Sequence, residues 1–102
     1  MRIISKARLR EFWDEHPQAR GPLEKWYHVA RQAFWKNFME VRQCLGTVDA
    51  ARVASGHTVT IFDVGGNNYR LIAAIHYQRQ TLYLLRVLTH SQYDTNQWKE
   101  EL

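Results

Sequence analysis

One cysteine, Cys44, stands alone in the chain. A disulfide framework is therefore excluded, as is a cysteine-rich zinc site, and a reducing cytosol is the expected home. Two prolines and five glycines among 102 residues leave no linker or low-complexity segment. No apolar run approaches the ~20 residues of a membrane span. The first ten residues, MRIISKARLR, lack the apolar core of a signal peptide. No phosphate-binding loop or dinucleotide fingerprint occurs, so no cofactor is expected. His57 and His76 have no companion ligands of the H-E-x-x-H kind, so no metal site is expected either.

The chain does have bulk and positive charge. Four tryptophans, five tyrosines and four phenylalanines supply a core, and the length suits one domain over residues 1–102. The formal net charge of +4 favours anionic partners: nucleic acid, an acidic protein or a membrane surface. A merely solvated basic surface would fit the charge equally well.

The apolar spacing divides the chain near Thr58. Before it, Ile3 and Ile4 suggest a short first strand. Ser5 is positioned to cap a helix running to about Glu15, carrying Leu9, Phe12 and Trp13 at helical spacing. His16-Pro17 ends that helix, because a residue before proline avoids the helical region. Gly21-Pro22 opens a second helix with proline at its first position and a stripe of Leu23, Trp26, Tyr27, Ala30 and Phe34. Asn37 to Glu40, NFME, has the form of a capping box and can start a further short helix, although Trp35 and Phe38 fit a continuous one. The segment from Gly46 to Gly56 resists assignment.

From Thr58 the period becomes two. TVTIFDV, NYRLIAAIHY and TLYLLRVL read as three antiparallel strands. GGNN at Gly65–Asn68 is a turn and QRQ a three-residue loop. Their near-continuous apolar runs predict a sheet covered on much of both faces. The fold class is α+β, in the order β-α-α-β-β-β, with the N-terminal helices packed on one face of a small antiparallel-rich sheet.

With QRQ as the loop, Tyr77 faces Thr81, Ile72 faces Arg86, Arg70 faces Leu88 and Asn68 faces His90. Arg70 and Arg86 become diagonal neighbours, roughly 7–8 Å apart at the backbone. Two arginines side by side repel unless an anion lies between them, and a phosphate matches their two-pronged geometry. His90 and Tyr93, in the stretch VLTHSQYDTNQW, would then stand at the rim of a phosphate site. Pairing of an arginine with Asp63 or Asp94 is the competing reading.

The run FDVGGNNYRLIAAIHYQRQTLYLLRVLTHSQYD resembles the HigB toxin family of type II toxin–antitoxin systems. The resemblance rests on Phe62-Asp63-Val64-Gly65-Gly66-Asn67, on Arg70, and on Thr89-His90 with Tyr93-Asp94. It implies a RelE-like fold and a toxin that acts as a ribosome-dependent mRNA endonuclease. Attack would come from the substrate's own 2′-hydroxyl on the neighbouring phosphate, without metal. By the same resemblance Arg70, Arg86, His90 and Tyr93 are the catalytic residues, and Asn67, Asn68 and Lys99 contact RNA. The implied partners are mRNA on the ribosome and a helix-turn-helix, HigA-like antitoxin from a neighbouring gene, joined to the toxin in a hetero-oligomer. Asn68 and Gln92 depart from the family pattern, standing where a lysine and an acid are frequent. A toxin of the same fold that inhibits a protein such as gyrase, or a degenerate antitoxin-binding protein, is the alternative.

Overall fold

The computed structural model describes residues 1–102. Strand β1 (Arg2–Ile4) leads into helix α1 (Ala7–Glu15). A single 3₁₀ turn over Pro17–Ala19 joins this to α2 (Arg20–Gln32), and α3 (Phe38–Leu45) follows. Strands β2 (Val48–Arg52), β3 (Thr58–Val64), β4 (Tyr69–His76) and β5 (Thr81–Thr89) come next, then two short helices, α4 (His90–Asp94) and α5 (Gln97–Glu101). The five strands form one sheet in the order β1-β5-β4-β3-β2. Only the β1–β5 pair is parallel.

The expected α+β architecture holds, with more parts than the sequence pattern gave. The unassigned segment contains β2, an edge strand whose mostly exposed VDAAR offers little apolar signal. α3 is a separate helix: the Asn37 side chain accepts from the Glu40 amide at 3.0 Å, and the Lys36 amide donates to the Glu40 carboxylate at 2.9 Å.

Three local expectations are corrected. Ser5 does not cap α1 through its hydroxyl. It sits at φ 74°, and its carbonyl accepts from the Arg8 amide at 3.0 Å. Pro22 lies in the third position of α2, because the 3₁₀ turn starts the helix at Arg20. Phe34 lies beyond the end of α2 and is 67% exposed, so it leaves the stripe. Leu23, Trp26 and Ala30 are buried as expected, with Tyr27 packed beside them.

The sheet buries apolar side chains on both faces. On one face α1 and α2 pack over Phe62, Val64, Leu71, Ala73, Leu82 and Leu84. On the other, Val53, Val59, Ile61 and Ile72 form a smaller cluster closed by Trp98 from α5.

The β4–β5 register is the expected one at the end that matters here: Arg70 faces Leu88 and Ile72 faces Arg86. The route to it differs. The turn holds four residues, Tyr77–Gln80, so His76 rather than Tyr77 faces Thr81. A β-bulge then inserts Leu85 between the pairs Ala73–Leu84 and Ile72–Arg86. The longer turn moves the register one way and the bulge moves it back.

Candidate functional site

The 3₁₀ turn and β2 aside, the chemistry-bearing residues gather where β3 ends, β4 begins and β5 runs into α4. At the turn between β3 and β4, Gly65 and Gly66 take φ of 66° and 67°. A side chain at Gly65 would also stand 3.1 Å from the Tyr69 ring. Any side chain at Gly65 would be strained on both counts. The tight turn sets Asp63 directly across the ladder from Arg70.

Arg70 is 7% exposed and organises this end of the sheet. Its Nε lies 3.0 Å from Asp63 Oδ1. One terminal nitrogen donates to the carbonyls of Asn67 at 3.2 Å and Tyr69 at 3.1 Å. The other donates to Asn67 Oδ1 at 2.6 Å and contacts His90 Nδ1 at 3.4 Å. A guanidinium has five N–H groups, and these five contacts use them all. Its carbon also stands 5.2 Å from the centre of the Tyr93 ring.

Thr89 caps α4 with a complete capping box. Its hydroxyl accepts from the Gln92 amide at 3.2 Å, and the Gln92 side chain accepts from the Thr89 amide at 2.9 Å. Gln92, where the family often has an acid, therefore still fills the capping role. This start fixes His90, whose amide donates to the Asn68 carbonyl at 3.0 Å. His90 Nε2 lies 3.1 Å from Asp94 Oδ2, one helical turn along. Arginine has no acceptor, so His90 Nδ1 can only accept from Arg70. The proton of the neutral ring then sits on Nε2 and is donated to Asp94.

Tyr93 is half-buried. Its ring stacks on that of Trp98 at 5.3 Å with 13° between planes, and the Trp98 indole donates to the Tyr93 carbonyl at 3.0 Å. The phenol is pushed above its ordinary value, first by burial and then by the charge of Asp49. Arg70 opposes this, and Asp63 and Asp94 add to the rise. At neutral pH it keeps its proton.

The structure thus joins Arg70, His90 and Tyr93, and brings Asn67 in as a holder of Arg70. Arg86 takes other company. One of its nitrogens donates to the Leu85 carbonyl at 2.8 Å, and the side chain lines a cleft with Arg8, Glu11, Phe12 and Glu15. Asn68 contributes its carbonyl to His90. Lys99 has its ammonium 5.4 Å from the centre of the Trp98 ring, and its carbonyl accepts from the Ala54 amide at 2.8 Å. Sequence reasoning missed Trp98 and Asp49. Trp98 carried a readable sign, an aromatic five residues past Tyr93 in a polar tail.

The rest of the positive charge lies elsewhere. Lys6, Arg10, Arg20 and Lys25 line a cleft between α1 and α2 in which Glu24 is the one carboxylate. Lys6 stands over the Tyr27 ring at 4.5 Å and Arg20 over the Trp13 ring at 5.5 Å.

Known proteins resemble this chain along most of its length. It is 26% identical over 94 residues to the mRNA interferase toxin HigB of Escherichia coli strain K12, covering 92% of this chain and 88% of that one. It is 30% identical over 94 residues to an mRNA interferase HigB of Escherichia coli O6:H1, covering 92% and 89%. The family model of the HigB toxin, described as the RelE-like toxic component of a toxin-antitoxin system, matches residues 19–96. That span holds the glycine turn, Arg70 and the capped Thr89–Asp94 helix, and with it the chain belongs to the HigB toxin family.

Proposed function

We propose that this protein is the toxin of a toxin–antitoxin pair and an endoribonuclease that cuts mRNA. The observation that carries the reading is the buried Arg70 tied at once to Asp63, His90 and Tyr93. Its relatives' names, mRNA interferase, point the same way. An inhibitor of a protein target has no need of an imidazole held in one tautomer beside a protonated phenol and a fixed cation.

The reaction is attack of a 2′-hydroxyl on the adjacent phosphate. The P–O5′ bond breaks, leaving a cyclic phosphate and a free 5′-hydroxyl. His90 takes the 2′-hydroxyl proton, and its exposed ring is reachable by substrate. Tyr93, protonated at neutral pH, gives a proton to the leaving oxygen. Arg70 stabilises the phosphate as its charge grows. The contact it yields is the longest of its five, the one to His90. Arg86 has one internal hydrogen bond and free donors, and it reaches the same phosphate only by swinging out of the α1 cleft.

Ribosomal presentation of the mRNA suits a site this open. The cytosol suits a chain with one cysteine and no helix long and apolar enough to cross a membrane. A helix-turn-helix antitoxin from a neighbouring gene, with an acidic segment against the basic toxin, completes the pair as a hetero-oligomer.

The test is induced expression in cells with mapping of mRNA 5′ ends. New 5′-hydroxyl ends in wild type that vanish in Arg70→Ala support the reading. Growth arrest with no new ends sinks it in favour of a protein target.

A further inference from the structure

Arg86 lies at an open margin of the sheet. β1 pairs with β5 only from Thr81 to Tyr83, so from Leu84 onward no strand flanks β5 on that side. α1 lies along it instead. The cleft between helix and strand, about 230 Å³, is lined by Arg8, Glu11, Phe12, Glu15, Arg86 and Val87. Phe12 and Val87 belong to the larger core and fix its floor. Half-buried Arg86 turns into this cleft, and one of its nitrogens donates to the Leu85 carbonyl at 2.8 Å.

The acids opposite are placed against local preference. Arg8, Glu11 and Glu15 follow one another at spacings of three and four, so they share one face of α1. Two carboxylates four apart on a helix repel each other. Glu15 is also the last residue of α1, where the helix dipole disfavours an anion, and no basic residue stands in that last turn. Neither acid belongs to an ion pair; those in the structure are Arg20–Glu24, Arg70–Asp63 and His90–Asp94. The offset for this placement faces them across the cleft, in the positive charge of Arg86 and its spare donors.

The sheet register sets the opposing pull. Arg70 faces Leu88 and Ile72 faces Arg86, so the two arginines are diagonal neighbours, roughly 7–8 Å apart at the backbone. Arg70 is pinned by its five contacts and cannot move aside. With nothing between them, Arg86 is repelled from that side and drawn toward Glu11 and Glu15. A phosphate resting on Arg70 reverses the balance, because it adds negative charge where Arg86 would otherwise meet only another cation. The turn from one place to the other is a rotamer change of a long, partly exposed side chain and leaves the fold as it is.

We propose that Glu11 and Glu15 are positioning residues that park Arg86 in the α1 cleft, off the reacting phosphate, until RNA draws it across. The proposal rests on the reading of the chain as an RNA-cutting toxin in which Arg86 serves the phosphate. Cleavage is slowed in proportion to the time that Arg86 spends parked. Exposed charge pairs shift such an equilibrium by about two- to fivefold, so the acids act as a brake and not as a block.

The experiment follows single-turnover cleavage of one mRNA on purified ribosomes, with toxin in excess and its concentration varied. It compares wild type, Glu11→Gln, Glu15→Gln, the double Gln variant, Arg86→Ala, and Arg86→Ala combined with both Gln changes. Circular dichroism checks the fold of each. The double Gln variant should raise the maximal rate by about two- to fivefold, with each single change giving part of the gain. In the Arg86→Ala background the same two changes should leave the maximal rate where it was. A gain of equal size with and without Arg86 would overturn the proposal, since the acids would then only be repelling RNA. So would an unchanged or lower maximal rate in the folded double variant, or an Arg86→Ala variant that cuts at the full rate. A wild type that cuts nothing would remove the functional reading itself, and this proposal with it.

Discussion

Arg70 Nε meets Asp63 Oδ1 at 3.0 Å directly across the β3–β4 ladder, and neither side chain is open to solvent on more than a small part of its surface. Removing one partner of such a pair leaves the other buried and unpaired. Asp63→Ala should destabilise the domain by about 3 kcal/mol and abolish toxicity, because the guanidinium loses its anchor. Replacing both residues with apolar ones, Asp63→Leu with Arg70→Met, should restore most of the stability and none of the toxicity. Urea denaturation and growth assays measure the two effects. Equal destabilisation by the single and double changes would contradict it.

Catalytic loss should separate from unfolding. On the proposed mechanism Arg70→Ala and Arg86→Ala each remove a donor to the phosphate and should slow cleavage by about 10²–10³. His90→Ala and Tyr93→Phe should each cost about 10² if they move protons as described. Tyr93→Phe keeps the ring that stacks on Trp98, so its circular dichroism should match wild type. Leu71→Ala is the contrast: it empties a fully buried position and should cost about 2–5 kcal/mol of stability. Full activity in Arg86→Ala alone would assign the phosphate to Arg70 and return Arg86 to the α1 cleft.

Much of this was legible from the sequence, and the failures have identifiable causes. The period change at Thr58 and the apolar runs gave three strands, and pairing of an arginine with Asp63 or Asp94 stood as the reading that competed with a phosphate clamp; the structure pairs Arg70 with Asp63. The β4–β5 register came out as expected only because a turn one residue longer is offset by the bulge at Leu85. Neither deviation has a glycine or proline to announce it. β2 was invisible because an edge strand with exposed side chains carries no alternation of burial to read. The bond between His90 and Asp94 needed only helical spacing of four, but no helix was expected in THSQYD, which is too short and polar to show an apolar stripe.

Alkaline pH should unfold the protein through its tyrosines. Tyr93 and Tyr77 are both pushed above their ordinary value, each chiefly by burial. Each raised phenol adds stability that is complete below the unfolded value near 10 and is lost as pH rises through the folded one. Stability should therefore fall above about pH 10, and Tyr93→Phe and Tyr77→Phe should each shallow that fall. Ultraviolet titration of phenolate beside chemical denaturation reads both. A flat profile in wild type would show that the phenols titrate freely.

Trp98 should be worth more to the site than its distance from Arg70 suggests. It is 2% exposed, closes the smaller core cluster and holds Tyr93 by ring and by carbonyl. Trp98→Ala should cost about 3–5 kcal/mol and release α4 and α5 from the sheet. Hydrogen exchange should then quicken in Tyr93–Leu102 while the core of Leu71, Leu82 and Leu84 stays protected. Uniform exchange across the chain would indicate global collapse instead.

The bulge at Leu85 separates the packing of the sheet from the direction in which its far end points. Deleting that one codon would leave Leu84 opposite Ala73 and Arg86 opposite Ile72, with inward and outward side chains still in phase on both sides of the joint. What the shortened strand would lose is its local bend, and with it the aim of Thr89 and the helix that carries His90. The deletion would also take the Leu85 side chain from the smaller cluster, while the larger core under α1 and α2 keeps all its members.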